Sequence, residues 1–459
     1  MILISYLILL LYMRIEAAPT STTQSSNTES SNGYAPQISP IFPGVRPPSG
    51  AATSYNYGPY STETTLPRYT LSGYPPTWAI PDANHPEVIA VIQSINWQIV
   101  PNAPIRLKDG DGRFVFNTDG PEDPFCWWSD TNCVTPKVSY LPPDYYKCPK
   151  KRDWGLSFDD GPFNPSSGSS SSSENKYAEP ALFNYLLKQN NQKASFFFIG
   201  SNVVSYPAAA KRALNDGHNI CIHTYSHPVM TTLTNNQVVA EFYWSLKAVK
   251  EATGVTPKCW RPPQGDVDDR IRAIAWQMGM HTILWNEDTD DWALPAPGGG
   301  TLAPEKVDES IQTWISQAKT GSREDGIVVL QHELNSATIS LTMHWLPTLQ
   351  TVFNVVPALA CNGITQPYWE SDFVYPLTFD PPPTSDNSNY ETDNTNVDNG
   401  VHNSNYEESS TSYSQTGQLN NEGTSNTEGY RNDIVQKEEY GVYSSNENYN
   451  SEFTHEYLF

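Results

Sequence analysis

From residue 154 onward the chain repeats one pattern, a short apolar run of β-forming residues followed by a stretch with helical apolar spacing. The runs lie at 154–158, 195–199, 219–222, 258–260, 282–285 and 327–330, and the helical stretches at 180–189, 207–216, 237–252, from Val267, and 305–319. Alternation of this kind predicts an α/β fold whose strands are parallel and joined by right-handed helical crossovers. Local signals agree. Thr234 with Gln237 three residues on reads as a capping box, and Pro180 suits a first helical position. Asp266 is placed to cap the helix carrying Val267, Ile271 and Ile274, and Gly321 to stop the one carrying Val307, Ile311 and Trp314.

In a parallel sheet, loops converge at the carboxyl ends of the strands. Four polar segments follow apolar runs here: Asp159-Asp160-Gly161-Pro162, His223 to His227, Arg261 to Gly265, and Leu330-Gln331-His332. Adjacent side chains leaving a strand point to opposite sides, so Asp159 and Asp160 can take different tasks. An Asp-Asp pair alone is also what an acidic turn before glycine gives. His223 and His227 are four apart, but Pro228 disfavours a helix there, so a turn at a strand end is expected. With Asp160 they form a two-histidine, one-carboxylate set that leaves metal positions open to water. Amide hydrolysis at such an ion needs a base, for which Asp159 is placed, and an acid, for which His332 is placed. Arg261 would orient a carboxylate and Asp291 keep the His332 imidazole charged. A buried structural ion pair is the competing reading of those last two.

These residues resemble the polysaccharide deacetylase family, carbohydrate esterases sharing the NodB homology domain, with greatest likeness to the fungal chitin deacetylases. Leu156 to Pro162 is similar to the family's first motif, His223 to His227 to its second, Arg261 to Gly265 to its third, Asp290-Asp291-Trp292 to its fourth and Leu330-Gln331-His332 to its fifth. The resemblance covers residues 150–362 and implies a distorted (β/α) barrel, short of a regular eight, with an open groove for a sugar chain. It implies Asp159 as base, His332 as acid, Arg261 and Asp291 as tuning residues, and one divalent ion on Asp160, His223 and His227, zinc before cobalt or manganese. It also places Leu330 at the acetyl pocket, Trp292 in the wall of the site, and Gln264 and Tyr225 at the substrate. Gln264 stands where the family often carries Tyr; the backbone N–H of that position would still serve the oxyanion, but a ring's sugar contacts would be lost. The implied reaction is removal of N-acetyl groups from β-1,4-linked N-acetylglucosamine, chitin, giving chitosan and acetate. Two rivals are an O-acetyl esterase acting on xylan or a related polymer and a wall-binding protein that has lost catalysis. The latter should lack one of Asp159, Asp160, His223, His227 or His332, and all five are present.

The flanks differ in texture. Residues 2–12 form an apolar run followed by Ala17-Ala18, read as a signal peptide over 1–18, although Arg14 follows the run and none precedes it, which leaves an uncleaved anchor as the alternative. Residues 19–74, rich in Ser, Thr and Pro, read as a disordered arm suited to O-glycosylation. Residues 75–149 read as an ordered extension with a compact aromatic knot at Cys126-Trp127-Trp128, 363–383 as the edge of the catalytic domain, and 384–459 as a disordered acidic tail. The Ser-rich segment 164–174 reads as a loop at the rim of the groove.

The net charge of −23 excludes nucleic acid as a partner. From Asp380 to Phe459 fifteen Asp and Glu face only Arg431 and Lys437, an acidity that would attract cationic chitosan. Six cysteines in an exported chain predict disulfides. Cys148 with Cys361 would tie the domain's ends and Cys126 with Cys133 form a local pair, while Cys221 and Cys259 are either a bridge or two buried thiols. A secreted or wall-associated monomer with no transmembrane segment after cleavage is expected.

Overall fold

Seven consecutive buried residues, Asp153–Asp159, form β1 at the centre of the computed structural model, which describes residues 33–55, 60–110, 112–115, 122–164, 177–296 and 299–375. The remaining strands are β2 (Ser195–Phe198), β3 (Asn219–Ile222), β4 (Cys259–Trp260), β5 (His281–Thr282), β6 (Glu287–Asp288), β7 (Ile327–Leu330) and β8 (Asn354–Pro357). They run in the order β5-β4-β3-β2-β1-β7-β6, all ladders parallel, with β8 paired to the first half of β1. The result is the curled, incomplete (β/α) barrel expected, with helices outside it. The signal-peptide segment, the Ser-rich loop after Asn164 and the acidic tail lie outside the described residues.

Alternation along β1 sorts chemistry from packing. Leu156 and Phe158 face the helices, where Phe158 stacks on Phe196 at 5.3 Å. Ser157 and Asp159 point the other way and share one guanidinium nitrogen of Arg261. Gly155 lies on that inner face because a Cβ would come within 3.1 and 3.2 Å of the Cys148 and Cys361 sulfurs. Those two cysteines are bonded to each other, as are Cys126 with Cys133 and Cys221 with Cys259, which settles the open pair as a bridge between β3 and β4.

The helix Asn235–Thr253 starts on the Thr234–Gln237 capping box and ends at Gly254 in the left-handed region; Gly321 ends Pro304–Thr320 in the same way. Two local expectations need correction. Pro180 is the residue before the helix Ala181–Lys188, not its first turn. The helix Asp269–Gln277 is capped by Asp268, which accepts from the Ile271 N–H. Asp266 is instead a buried junction, accepting from the Trp127 indole and Ser129 hydroxyl through one oxygen and from the Thr231 N–H and hydroxyl through the other.

The arm also departs from expectation. From Gly33 to Tyr74 its described residues pack on the domain, because scattered aromatics find partners that composition hides. Tyr55 is buried against the Phe373 and Tyr375 rings, Phe42 meets Tyr243, and the Leu71 N–H donates to Val204 O. The extension goes further and joins the sheet: Tyr145 donates to Thr282 O and accepts from the Leu284 N–H, adding a parallel rung beyond β5. Among the described residues no helix is long and apolar enough to cross a membrane.

Candidate active site

Strand ends assemble the site. β1 ends in Asp159, β3 leads into His223, β4 into Arg261, β6 into Asp291, and β7 into His332. Beyond its ladders β1 is extended by an Asp159–His332 bridge, with the Asp159 N–H donating to Gln331 O. Five non-glycine residues here adopt positive φ: Asp160 (79°), Thr224 (62°), His227 (58°), Gln264 (55°) and Asp290 (54°). Such conformations cost of order 1–3 kcal/mol each and persist where surrounding contacts hold them.

The contacts are specific. Arg261, fully buried, donates to Asp159 Oδ1 at 2.7 Å, to Ser157 Oγ at 3.0 Å and to the Leu284 carbonyl at 3.3 Å, with its guanidinium 4.0 Å from the Phe197 ring. Burial raises the Asp159 carboxyl to about 6, against the opposing pull of Arg261. The His223 Nδ1 lies 2.8 Å from Arg261 O. A carbonyl only accepts, so Nδ1 carries the proton and Nε2 presents its lone pair. That Nε2 is 3.6 Å from Asp160 Oδ1, and His227 Nε2 is 3.4 Å from the same oxygen. Burial, then the neighbouring imidazole, hold His223 well below its usual range, and burial lowers His227, so both imidazoles are neutral.

Asp160 Oδ1 is buried and has no hydrogen-bond partner among the described residues, although two imidazole nitrogens face it. An orphaned carboxylate oxygen between two neutral nitrogens, with one ligand atom from each of the three residues lying within 4.8 Å of the others, fits a divalent cation.

His332 is held differently. Its Nδ1 is 2.6 Å from Asp291 Oδ1 while its backbone N–H donates to Asp291 Oδ2 at 2.9 Å. Burial works against charge, but the Asp291 carboxylate, joined by Asp160 and Asp159, raises the imidazole to about 10. Leu330 is buried at the end of β7 and Trp292 is half-buried beside Asp291. Gln264 is exposed, and among the described residues nothing accepts from its N–H. Tyr225 does not reach the groove. Its side chain is fully buried, its ring lies against Gly200 and its hydroxyl donates to Pro75 O, so it packs beneath the second motif.

Two supports were not anticipated. Glu241, on the helix Asn235–Thr253, accepts from the Tyr225 and Ser226 N–H groups and the Ser226 hydroxyl, gripping the turn between the two histidines; burial raises it to about 7. It sits amid Val238, Val239, Phe242 and Tyr243, and a lone acid in so apolar a helix was the available signal. Glu333, next to His332, fills the space over Gly161 where any Cβ would collide with it. Burial and the facing Glu179 hold its carboxyl well above the usual range, which keeps it neutral.

A family profile described as polysaccharide deacetylase matches residues 146–283. It stops before Asp291 and His332, which the sheet brings to the site. Among characterised relatives, the chain is 38% identical over 349 residues to a chitin deacetylase of Amylomyces rouxii, covering 73% of this chain and 78% of that protein. It is 39% identical over 333 residues to chitin deacetylase 2 of Cryptococcus neoformans var. grubii, covering 71% and 68%. The solved chitin deacetylase of Colletotrichum lindemuthianum aligns at 26% identity and a TM-score of 0.41, covering 49% of this chain and 94% of that one.

Proposed function

The chain belongs to the polysaccharide deacetylase family, and on that premise we propose that it hydrolyses the N-acetyl groups of chitin, leaving chitosan and acetate. One observation carries the reading. An arginine-held Asp159, a ligand trio and a charged His332 meet around one small space.

Asp160, His223 and His227 would hold a divalent ion, zinc before cobalt or manganese, since imidazole with one carboxylate suits it. When bound, the ion makes a water more acidic and polarises the acetyl carbonyl. Asp159 takes the proton of the attacking water; its raised pKa places it near neutrality, where a base works best. Arg261 fixes Asp159 Oδ1, leaving Oδ2 toward the His223 imidazole. The backbone N–H of Gln264 donates to the oxygen that gains charge as water adds to the carbonyl carbon. His332 gives its proton to the nitrogen as the C–N bond breaks, so the amine stays on the sugar and the acetyl group leaves as acetate. Leu330 offers an apolar surface to the acetyl methyl, and Trp292 walls the site from solvent.

Three disulfides suit the oxidising exterior, consistent with a secreted or wall-associated enzyme. The test is acetate release from N-acetylglucosamine oligomers, with acetylated xylan in parallel, a chelator control and an Asp159→Asn variant. Chelator-sensitive release from the oligomers, absent in the variant, is expected. Release from xylan alone would replace the substrate, and release from neither would overturn the activity.

A further inference from the structure

The adjacent tryptophans of the aromatic knot have opposite fates. Trp127 is buried, its indole N–H donating to Asp266 at 2.9 Å and its ring covered by the Arg106 guanidinium at 4.3 Å. Trp128 is only half-buried, and its indole N–H has no acceptor among the described residues. Its ring lies against Gly265, where it leaves no room for a Cβ, and 4.9 Å from the Trp285 ring, which itself approaches the Arg261 guanidinium at 5.6 Å. The exposed Gln264 is next to that contact.

We propose that Trp128 is a stacking platform for a sugar ring adjoining the unit being deacetylated, so that the N-terminal extension supplies part of the substrate groove. The proposal rests on the reading of the substrate as a β-1,4-linked N-acetylglucosamine chain. A pyranose in such a chain presents a face of axial C–H groups edged by hydroxyls. A half-buried indole whose N–H has no acceptor among the described residues offers the complementary apolar face and polar edge.

The ring is also held in place before any ligand arrives. The Trp128 backbone N–H donates to Val267 O at 3.0 Å, the Cys126–Cys133 bridge closes the loop that bears it, and Asp266 bonds Trp127 and Ser129 on either side. Asp266 also binds Thr231, on the segment after His227, so platform and metal turn share one anchor. A pre-set aromatic loses little freedom on binding. The bland alternative is a plug: Trp128 with Trp285 would only fill space beside the third motif.

Trp128→Leu separates these readings, because leucine fills space without offering a flat face. For N-acetylglucosamine hexamer we expect KM to rise about tenfold in Trp128→Leu, as loss of roughly 60 Å² of apolar contact implies. The kcat at saturation should change far less, and Trp128→Phe should restore most of the KM. A KM in Trp128→Leu equal to that of the unaltered protein would overturn the proposal, as would a fall in kcat at constant KM. Calorimetric titration of the hexamer into Asp159→Asn protein, with and without Trp128→Leu, keeps the platform testable apart from turnover. Binding that needs Trp128 upholds it even if no acetate is ever released, which would sink only the activity. Binding indifferent to Trp128, or no binding by the Asp159→Asn protein, refutes it.

Discussion

Replacing Asp291 by Asn should convert a broad activity plateau into one that collapses through neutrality. Both carboxylate oxygens of Asp291 are used, one by the His332 ring nitrogen at 2.6 Å and one by its backbone N–H at 2.9 Å. Asn preserves the shape but presents a donor to one of those two donors and removes the charge. The working acid is the imidazolium, populated below the His332 pKa and lost as pH rises through it. With Asp291 present that pKa is about 10, so more than 99% of His332 is charged at pH 7.5. Without it, burial opposes the charge and only Asp160 and Asp159 still favour it, so the value falls toward the ordinary ~6.5, at which about one-tenth would be charged at that pH. The turnover of Asp291→Asn should therefore fall by up to about tenfold at pH 7.5 from protonation alone, and recover part of that on going to pH 6. A bound ion would move His332 in both proteins in the same direction, so the difference between the two pH profiles is the readout. Acetate release from N-acetylglucosamine oligomers, followed from pH 5.5 to 10, measures it. An alkaline limb in the same place for both proteins would refute the argument that Asp291 keeps His332 charged.

Glu241→Gln keeps one acceptor for three donors at the turn between His223 and His227, so metal affinity, measured by competition with a chromophoric chelator, should weaken about tenfold with melting lowered as well. Adding zinc to chelator-stripped protein should stabilise it by about 2.7 kcal/mol at a hundredfold excess over Kd, seen as a raised Tm, and Asp160→Ala should abolish that rise. Replacing Cys148 and Cys361 together by serine opens a bridge spanning 213 residues, expected to cost about 5 kcal/mol in chemical unfolding, whereas losing the seven-residue Cys126–Cys133 loop should cost about half that.

What was legible at the strand ends rests on local signals. A two-residue period in β1 puts Ser157 and Asp159 on one face, and a capping box needs only Thr234 and Gln237. What stayed hidden depends on partners distant in sequence. Asp266 has the composition of a helix cap, but the helix begins at Asp269 and the Trp127 and Thr231 donors claim it. Tyr225 sits between His223 and His227 in sequence, yet the turn that aims both histidines at Asp160 sends the tyrosine into the core. The arm from Gly33 looked too polar to order, because hydropathy averages away the few rings, Phe42 and Tyr55 among them, that find hydrophobic seats.

The placement of β8 against the first half of β1 sets a timetable for the molecule. A chain that emerges from its amino end delivers Asp159 early, but the strand bearing it lacks two lateral neighbours until β7 and β8, ending at Pro357, have followed. The candidate metal trio is complete by residue 227, with His332 still more than a hundred residues away. The sheet is therefore complete only once its last strand is made, and a ribosome stalled before residue 354 would hold a chain bearing Asp160, His223 and His227 without the finished sheet that aims them.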